Sequence, residues 1–136
     1  MSSVASKLVA LVAVLHFGFF IAEFFLWKMV GPGLLKVPQG DPSNLIENTK
    51  VIAANQGIYN LFLAVGLALL LWFKWPIAPS EGAITADATK VIVLFLGFIA
   101  FAGAFGAYSL GSWLLLVLQC APAAIAIAVI LRGTTT

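Results

Sequence analysis

Charge is what this sequence has least of. Only 9% of its 136 residues are charged, and 62% are hydrophobic. A soluble domain carries about 25% charged residues. So small a polar complement cannot cover that much apolar surface in water. The few basic residues are scattered, which excludes the basic stripe that nucleic-acid binding requires. Cysteine is nearly absent too. Cys120 stands alone, so there is no intrachain disulfide and no Cys-x-x-Cys metal or redox pair. In its apolar surroundings it reads as a small packing residue. His16 is the one histidine. With Glu23 seven positions away on the same segment, it falls short of the ligand count for zinc or iron. As a haem ligand it would be a lone one. Phosphate-binding glycine loops and nucleophile elbows are missing. No metal and no cofactor is therefore expected.

Long apolar runs fill the space that charge leaves. Four stand out, at 8–27, 51–73, 91–108 and 113–131. Each has about 18–23 residues, enough to cross a hydrocarbon core of roughly 30 Å at 1.5 Å per residue. In lipid the backbone must satisfy itself, so each run is predicted to be helical. The expected fold is all-α, a polytopic membrane four-helix bundle in one domain over 1–136. The first run is long for a signal peptide, contains His16 and Glu23, and lacks a small-x-small cleavage site. It is expected to be a mature helix.

The connections differ in character. The first, Lys28 to Lys50, holds the turn and breaker residues Gly31, Pro32, Gly33, Pro38, Gly40, Asp41 and Pro42. Its Asp-Pro-Ser-Asn stretch offers caps for a short helix leading into the second span. The second connection, Lys74 to Lys90, contains Pro76, Pro79, Glu81 and Asp87. The third, Ser109 to Ser112, is a tight turn, making the last two spans an antiparallel hairpin. Trp27, Trp72, Trp75, Tyr108 and Trp113 sit at span ends as an aromatic belt. Lys7, Lys74, Lys90 and Arg132 share one membrane face, and Lys28, Lys36 and Lys50 the other. This small excess predicts that both termini are cytoplasmic.

Ionisable residues inside a span are costly and mark sites. His16 and Glu23 lie on one helix face, about 10 Å apart along the axis. The second span adds Asn55, Gln56, Tyr59 and Asn60, over an arc of about 140°. The fourth adds Gln119. Counting from the face of Lys28 and Lys50, Glu23 and Asn55 are expected at roughly 7–8 Å depth, and Tyr59 and Asn60 at roughly 14–15 Å. His16 is expected at about 18 Å and Gln119 at about 12 Å. All the strongly polar groups therefore fall in one half of the bilayer, as a shared pocket would require. A blander account also exists. Asn, Gln and His serve as glue between membrane helices, at about 0.6 kcal/mol on average. Glu23 has its own bland reading, in which it snorkels toward water or pairs with Lys28.

The third span is different. Gly97, Ala100, Gly103, Ala104, Gly106 and Ala107 allow close backbone approach. Phe95, Phe98, Phe101 and Phe105 form a stripe that packs a neighbour, faces lipid or lines an apolar pocket. In the fourth span Pro122 frees a backbone carbonyl near Gln119 and is expected to kink the helix.

Glu23 followed by an aromatic and Trp27, the block Ala-Asn-Gln-Gly-Ile-Tyr-Asn at 54–60, Gly106-Ala107, and Gln119 before Pro122-Ala123 form one pattern. It resembles a small bacterial and fungal membrane family known as domain of unknown function (DUF) 1304. The resemblance covers nearly the whole chain and implies a four-helix protein. It maps the family's pattern onto Glu23, Trp27, Asn55, Gln56, Gly57, Tyr59, Asn60 and Gln119. Leu61 stands where a Gly is expected, and Cys120-Ala121 where small glycines are usual, which implies a slightly different pocket shape. The resemblance supplies no activity. The expected location is a bacterial inner membrane.

Four function classes fit these residues. The first is binding or transport of a small lipophilic molecule such as a lipid, sterol-like compound, quinone or toxic hydrophobe. Its ligand would meet Glu23, His16, Asn55, Gln56, Tyr59, Asn60 and Gln119. The second is an intramembrane isomerase, hydratase or hydrolase with His16, Glu23 and Tyr59 in acid and base roles. The third is a small proton-coupled exporter, although the residues around Glu23 do not follow the small multidrug exporter motif. The fourth is an accessory subunit of a membrane complex. The expected partners are the bilayer, a lipophilic small molecule and, as one option, a second copy of the chain.

Overall fold

The computed structural model describes residues 1–35, 42–74 and 82–133. The elements are α1 (Ser3–Phe24), α2 (Trp27–Leu34), α3 (Pro42–Lys74), α4 (Gly82–Leu110), α5 (Trp113–Leu115), a π-helical segment (Leu116–Cys120) and α6 (Ala121–Arg132). Among the described residues there is no strand. Four stretches are long and apolar enough to cross a membrane: Ser3–Phe24, Asn44–Trp72, Ala88–Leu110 and Trp113–Arg132. The chain is an all-α integral membrane protein.

The helix ends follow local chemistry where local chemistry is strong. Ser2 caps α1, its Oγ accepting from Ala5 N at 3.2 Å, as a serine at this position does. The turn between α4 and α5 is built on Gly111, whose φ of 59° is the left-handed conformation that glycine adopts without strain. Ser112 N reaches back to Ala107 O at 3.0 Å and closes the helix end. The tight turn expected at 109–112 is therefore present.

Elsewhere the connections depart from expectation. The breakers Gly31, Pro32 and Gly33 lie inside a helix, α2. Helices this short are held by packing and not by propensity. Trp27 and Gly31 are its buried residues, set against Ile46 of α3. A Cβ on Gly31 would come within 3.0 Å of both Ile46 Cδ1 and Trp27 Cε2, so the glycine makes room for the indole. The short cap helix and the second span are one continuous helix of 33 residues. At 1.5 Å per residue it is about 50 Å long and outreaches the hydrocarbon core. Its first turns stand in the aqueous boundary, where exposed Glu47 meets Lys28 at 3.4 Å and Lys50 at 3.9 Å. Lys28 thus pairs with Glu47. The second connection is also shorter than expected, since α4 begins at Gly82. Pro38, Gly40, Asp41, Trp75, Pro76, Pro79 and Glu81 lie outside the described residues.

Packing is unequal along the bundle. α1 pairs closely with α3, and α4 pairs with the fourth span. The two pairs share one core, made of Ala5, Val9, Val12 and Ala13 of α1, Leu67 of α3, Ile92, Leu96 and Ile99 of α4, and Ala123, Ala126 and Ile130 of α6. All of these sit toward the membrane face that carries Lys7. Toward the Lys28 face, the second buried cluster is Trp27, Ile46 and Ala53, on α2 and α3 alone. There α4 is buried at Gly103 and Ala107, where its small residues let the fourth span approach. A Cβ on Gly103 would lie 2.6 Å from Cys120 N, and one on Gly106 would lie 3.2 Å from Leu115 Cδ1. Each pair is thus tight in itself, while the core common to both lies in one half of the bilayer.

Candidate functional site

The polar groups of the spans lie beyond that shared core, toward the Lys28 face. Their centre is a hydrogen bond between two helices. Asn60 Nδ2 donates to Glu23 Oε2 at 2.6 Å. Asn60 is buried and Glu23 half-buried. The α1–α3 seam that carries the bond is close because of Gly57, one turn along α3 from Asn60. A Cβ on Gly57 would lie 3.2 Å from Phe24 N and 3.3 Å from Phe20 O.

This register differs from the expected depths, which placed Glu23 opposite Asn55. α1 stops at Phe24, short of Lys28, and α2 continues beside the projecting start of α3. The chain turns at Phe25 and Leu26, whose N–H groups bond back to Ile21 and Ala22. Trp27 Nε1 then donates to Thr49 Oγ1 at 3.1 Å. The shift of about one turn follows from this extension. Thr49 was not singled out in the sequence, because a lone threonine near a span end carries no signal of its own.

His16 occupies the boundary between core and polar half. It shares a face with Val9, Val12 and Ala13 and is fully buried. Its ring stands edge-on to Phe19, with centroids 5.5 Å apart and planes at 77°. Nδ1 lies 2.9 Å from Val12 O. A carbonyl only accepts, so Nδ1 carries the proton in this bond. Nε2 is buried and has no hydrogen-bond partner among the described residues.

The other predicted residues are less enclosed. Gln119 is half-buried in the π-helical segment. Tyr59, Asn55 and Gln56 are exposed, Tyr59 at 53%. On α3 they turn away from the Gly57–Asn60 edge, so the second span offers one polar residue to α1 and three to its surroundings. The structure therefore joins Glu23 to Asn60 directly, while the side chains of Asn55, Gln56, Tyr59 and Gln119 have no hydrogen-bond partner among the described residues. The Phe stripe divides similarly: Phe95 packs over Gly66 of α3, while Phe98, Phe101 and Phe105 are exposed.

Glu23 has no cationic partner among the described residues. Both ion pairs seen there belong to Glu47. Among the described residues no three His, Cys, Asp or Glu side chains lie together as a metal site. A carboxyl in this setting can accept hydrogen bonds, exchange a proton or face a cationic head group. Some 500 Å³ of cavity lies elsewhere, between α1 and α3 toward the Lys7 face. Ala10, Ala13, Val14, Ala68, Leu71 and Trp72 line it, so it offers shape to an apolar chain and little chemistry.

No curated protein and no solved structure matches the chain. The model of one family, described as "Protein of unknown function (DUF1304)", matches residues 10–131, and the chain belongs to that family.

Proposed function

We propose that this protein binds a small lipophilic molecule within the bilayer and moves it between the site and the surrounding lipid. The polar head of the ligand meets Glu23 in the half of the bundle facing Lys28, and its apolar body lies among the exposed side chains of α3 and α4. The observation that carries this reading is the Glu23–Asn60 pair: a carboxyl held inside a span by a neutral amide, with no cation beside it among the described residues. A carboxyl kept only for structure would be expected to have a basic partner or to reach water. Asn60 fixes one oxygen and leaves the other for a ligand. Gln56, Tyr59 and Gln119 supply further donors and acceptors around the same half. On the lysine and arginine count, this half faces outward from the cytoplasm, and both termini are cytoplasmic.

The test is thermal stability of the purified protein in lipid nanodiscs against a panel of lipophiles differing in head group. A ligand that binds the folded state alone raises stability by RT ln(1 + [L]/Kd), about 2.7 kcal/mol at a hundred times Kd. At least one head-group class is expected to raise Tm of the wild type, and Glu23→Gln is expected to lose most of that rise. Equal rises in the two proteins would reject Glu23 as the anchor. The absence of any rise across the panel would reject the reading as a whole.

A further inference from the structure

His16 is built as an acceptor with nothing to accept from. Its Nδ1 proton is committed to Val12 O. In the neutral ring, Nε2 therefore holds a lone pair. That atom is buried, the residue is 0% exposed, and no donor among the described residues reaches it. An unpaired buried acceptor is uncommon in a folded protein, and in a membrane no bulk water is at hand to satisfy it.

The position of His16 in the packing indicates what faces it. Ala5, Val9, Val12 and His16 are the buried row of α1, recurring at spacings of four, three and four. Ile130, Ala126 and Ala123 are the buried row of α6, recurring at four and three in the opposite direction. The spans run antiparallel, and α1 packs on both α6 and the π-helical segment. One further step of four along the second row is Gln119. Both rows thus change from apolar to polar at the same level. Gln119 is half-buried, and its side chain, like Nε2, has no hydrogen-bond partner among the described residues.

Resting on the ligand-binding reading above, we propose that His16 Nε2 is the inner hydrogen-bond acceptor of the same site, so that the protein selects lipophiles whose head carries a hydroxyl or amine proton. The ligand's O–H or N–H donates to Nε2, and where the head is a hydroxyl the Gln119 amide N–H donates to its oxygen. Glu23, two helical turns toward the Lys28 face, meets the outer part of the head. An ether or ester of the same size has no proton to give and leaves Nε2 unpaired.

The chain holds a single histidine, so protein labelled with ¹⁵N-histidine and placed in nanodiscs reports on His16 alone. The probes are 1-dodecanol, dodecylphenol, dodecylamine and dodecyl methyl ether. The expected result is an Nε2 resonance of the unprotonated, weakly bonded type. At least one of the three proton-bearing probes should move it upfield, and the ether should leave it in place. The shift should shrink in Gln119→Leu. If the probes raise Tm but leave the Nε2 resonance unmoved, the acceptor role is overturned while ligand binding at Glu23 stands. If the resonance moves equally in Glu23→Gln, with the same rise in Tm, His16 stands and Glu23 fails as the anchor. A resonance already hydrogen-bonded without probe, in exchange with water protons and indifferent to the alcohols, would reduce the site to a structural water and overturn the proposal. No rise in Tm and no shift with any probe overturns both readings together.

Discussion

Asn60 Nδ2 stands 2.6 Å from Glu23 Oε2 and joins the last turn of α1 to the middle of α3. Its surroundings make the bond matter, because neither residue has another side-chain partner among the described residues and the alternative partner is lipid. Hydrogen bonds between membrane helices average about 0.6 kcal/mol and reach about 1.7 kcal/mol. Bonds to a charged group are about twice as strong as neutral ones. A double-mutant cycle of Glu23→Leu and Asn60→Leu is therefore expected to give a coupling of about 1–2 kcal/mol. The measurement is reversible unfolding in mixed micelles or by steric trapping. The larger loss should come from Asn60→Leu alone, which strands the carboxylate. Additive losses would show that the two residues do not interact.

Glycines of the spans are predicted to behave in opposite ways. Gly103 is seated on the backbone of the π-helical segment, where a Cβ would lie 2.6 Å from Cys120 N and 3.0 Å from Cys120 Cα. Backbone cannot swing aside as a side-chain tip can. Gly103→Ala is expected to cost about 1–3 kcal/mol, the usual range for overpacking. Gly97 lies two turns away on the same helix and has open space where its Cβ would be. Gly97→Ala is expected to gain about 0.5–1 kcal/mol, the helical difference between glycine and alanine. Gly57→Ala should fall between them, because its nearest contact would be 3.2 Å. Unfolding midpoints of the three variants in one detergent decide the order. A stable Gly103→Ala would mean that α4 and the fourth span are further apart than described.

Hydropathy alone made the four spans legible, because a run of some twenty apolar residues has few other uses. The polar residues of one bilayer half were legible for the same reason, since each interrupts such a run. What the residues could not declare was register. The expected depths assumed that α1 ends where its charges begin, at Lys28. In the structure Phe24 ends it, and tertiary contacts hold the turn that follows: Trp27 on Thr49 and Ile46, and Gly57 beneath Phe20 and Phe24. None of these has a local signature. α2 was hidden more actively, since Gly31, Pro32 and Gly33 read as breakers until Trp27 is seen lying over Gly31. Orientation around α3 was hidden as well. Helical spacing sets Asn55, Gln56, Tyr59 and Asn60 on an arc of about 140°, but which edge of it meets α1 depends on where Gly57 lets the two backbones close.

Pro122 has the most distant consequence. It has no N–H to give the preceding turn, and just before it the helix widens: Ala121 N bonds to Leu116 O, five residues back. Single π turns of this kind insert one residue into an α-helix and occur often at functional sites. A π-helical segment, Leu116–Cys120, stands where the kink is expected. In Pro122→Ala the missing donor returns, and the segment is expected to relax into regular α-helix. Every residue before it would then turn by about one position, or 100°. A side-chain tip about 5–6 Å from the helix axis would move by about 8 Å. Leu114 and Phe98 are both exposed, so spin labels at cysteines introduced there, in a Cys120→Ser background, read the movement directly. A change of several ångströms on adding Pro122→Ala, with helix content by circular dichroism unchanged, is the expected result. Unchanged distances would show that the seat of Gly103 on Cys120 holds the π turn without help from the proline.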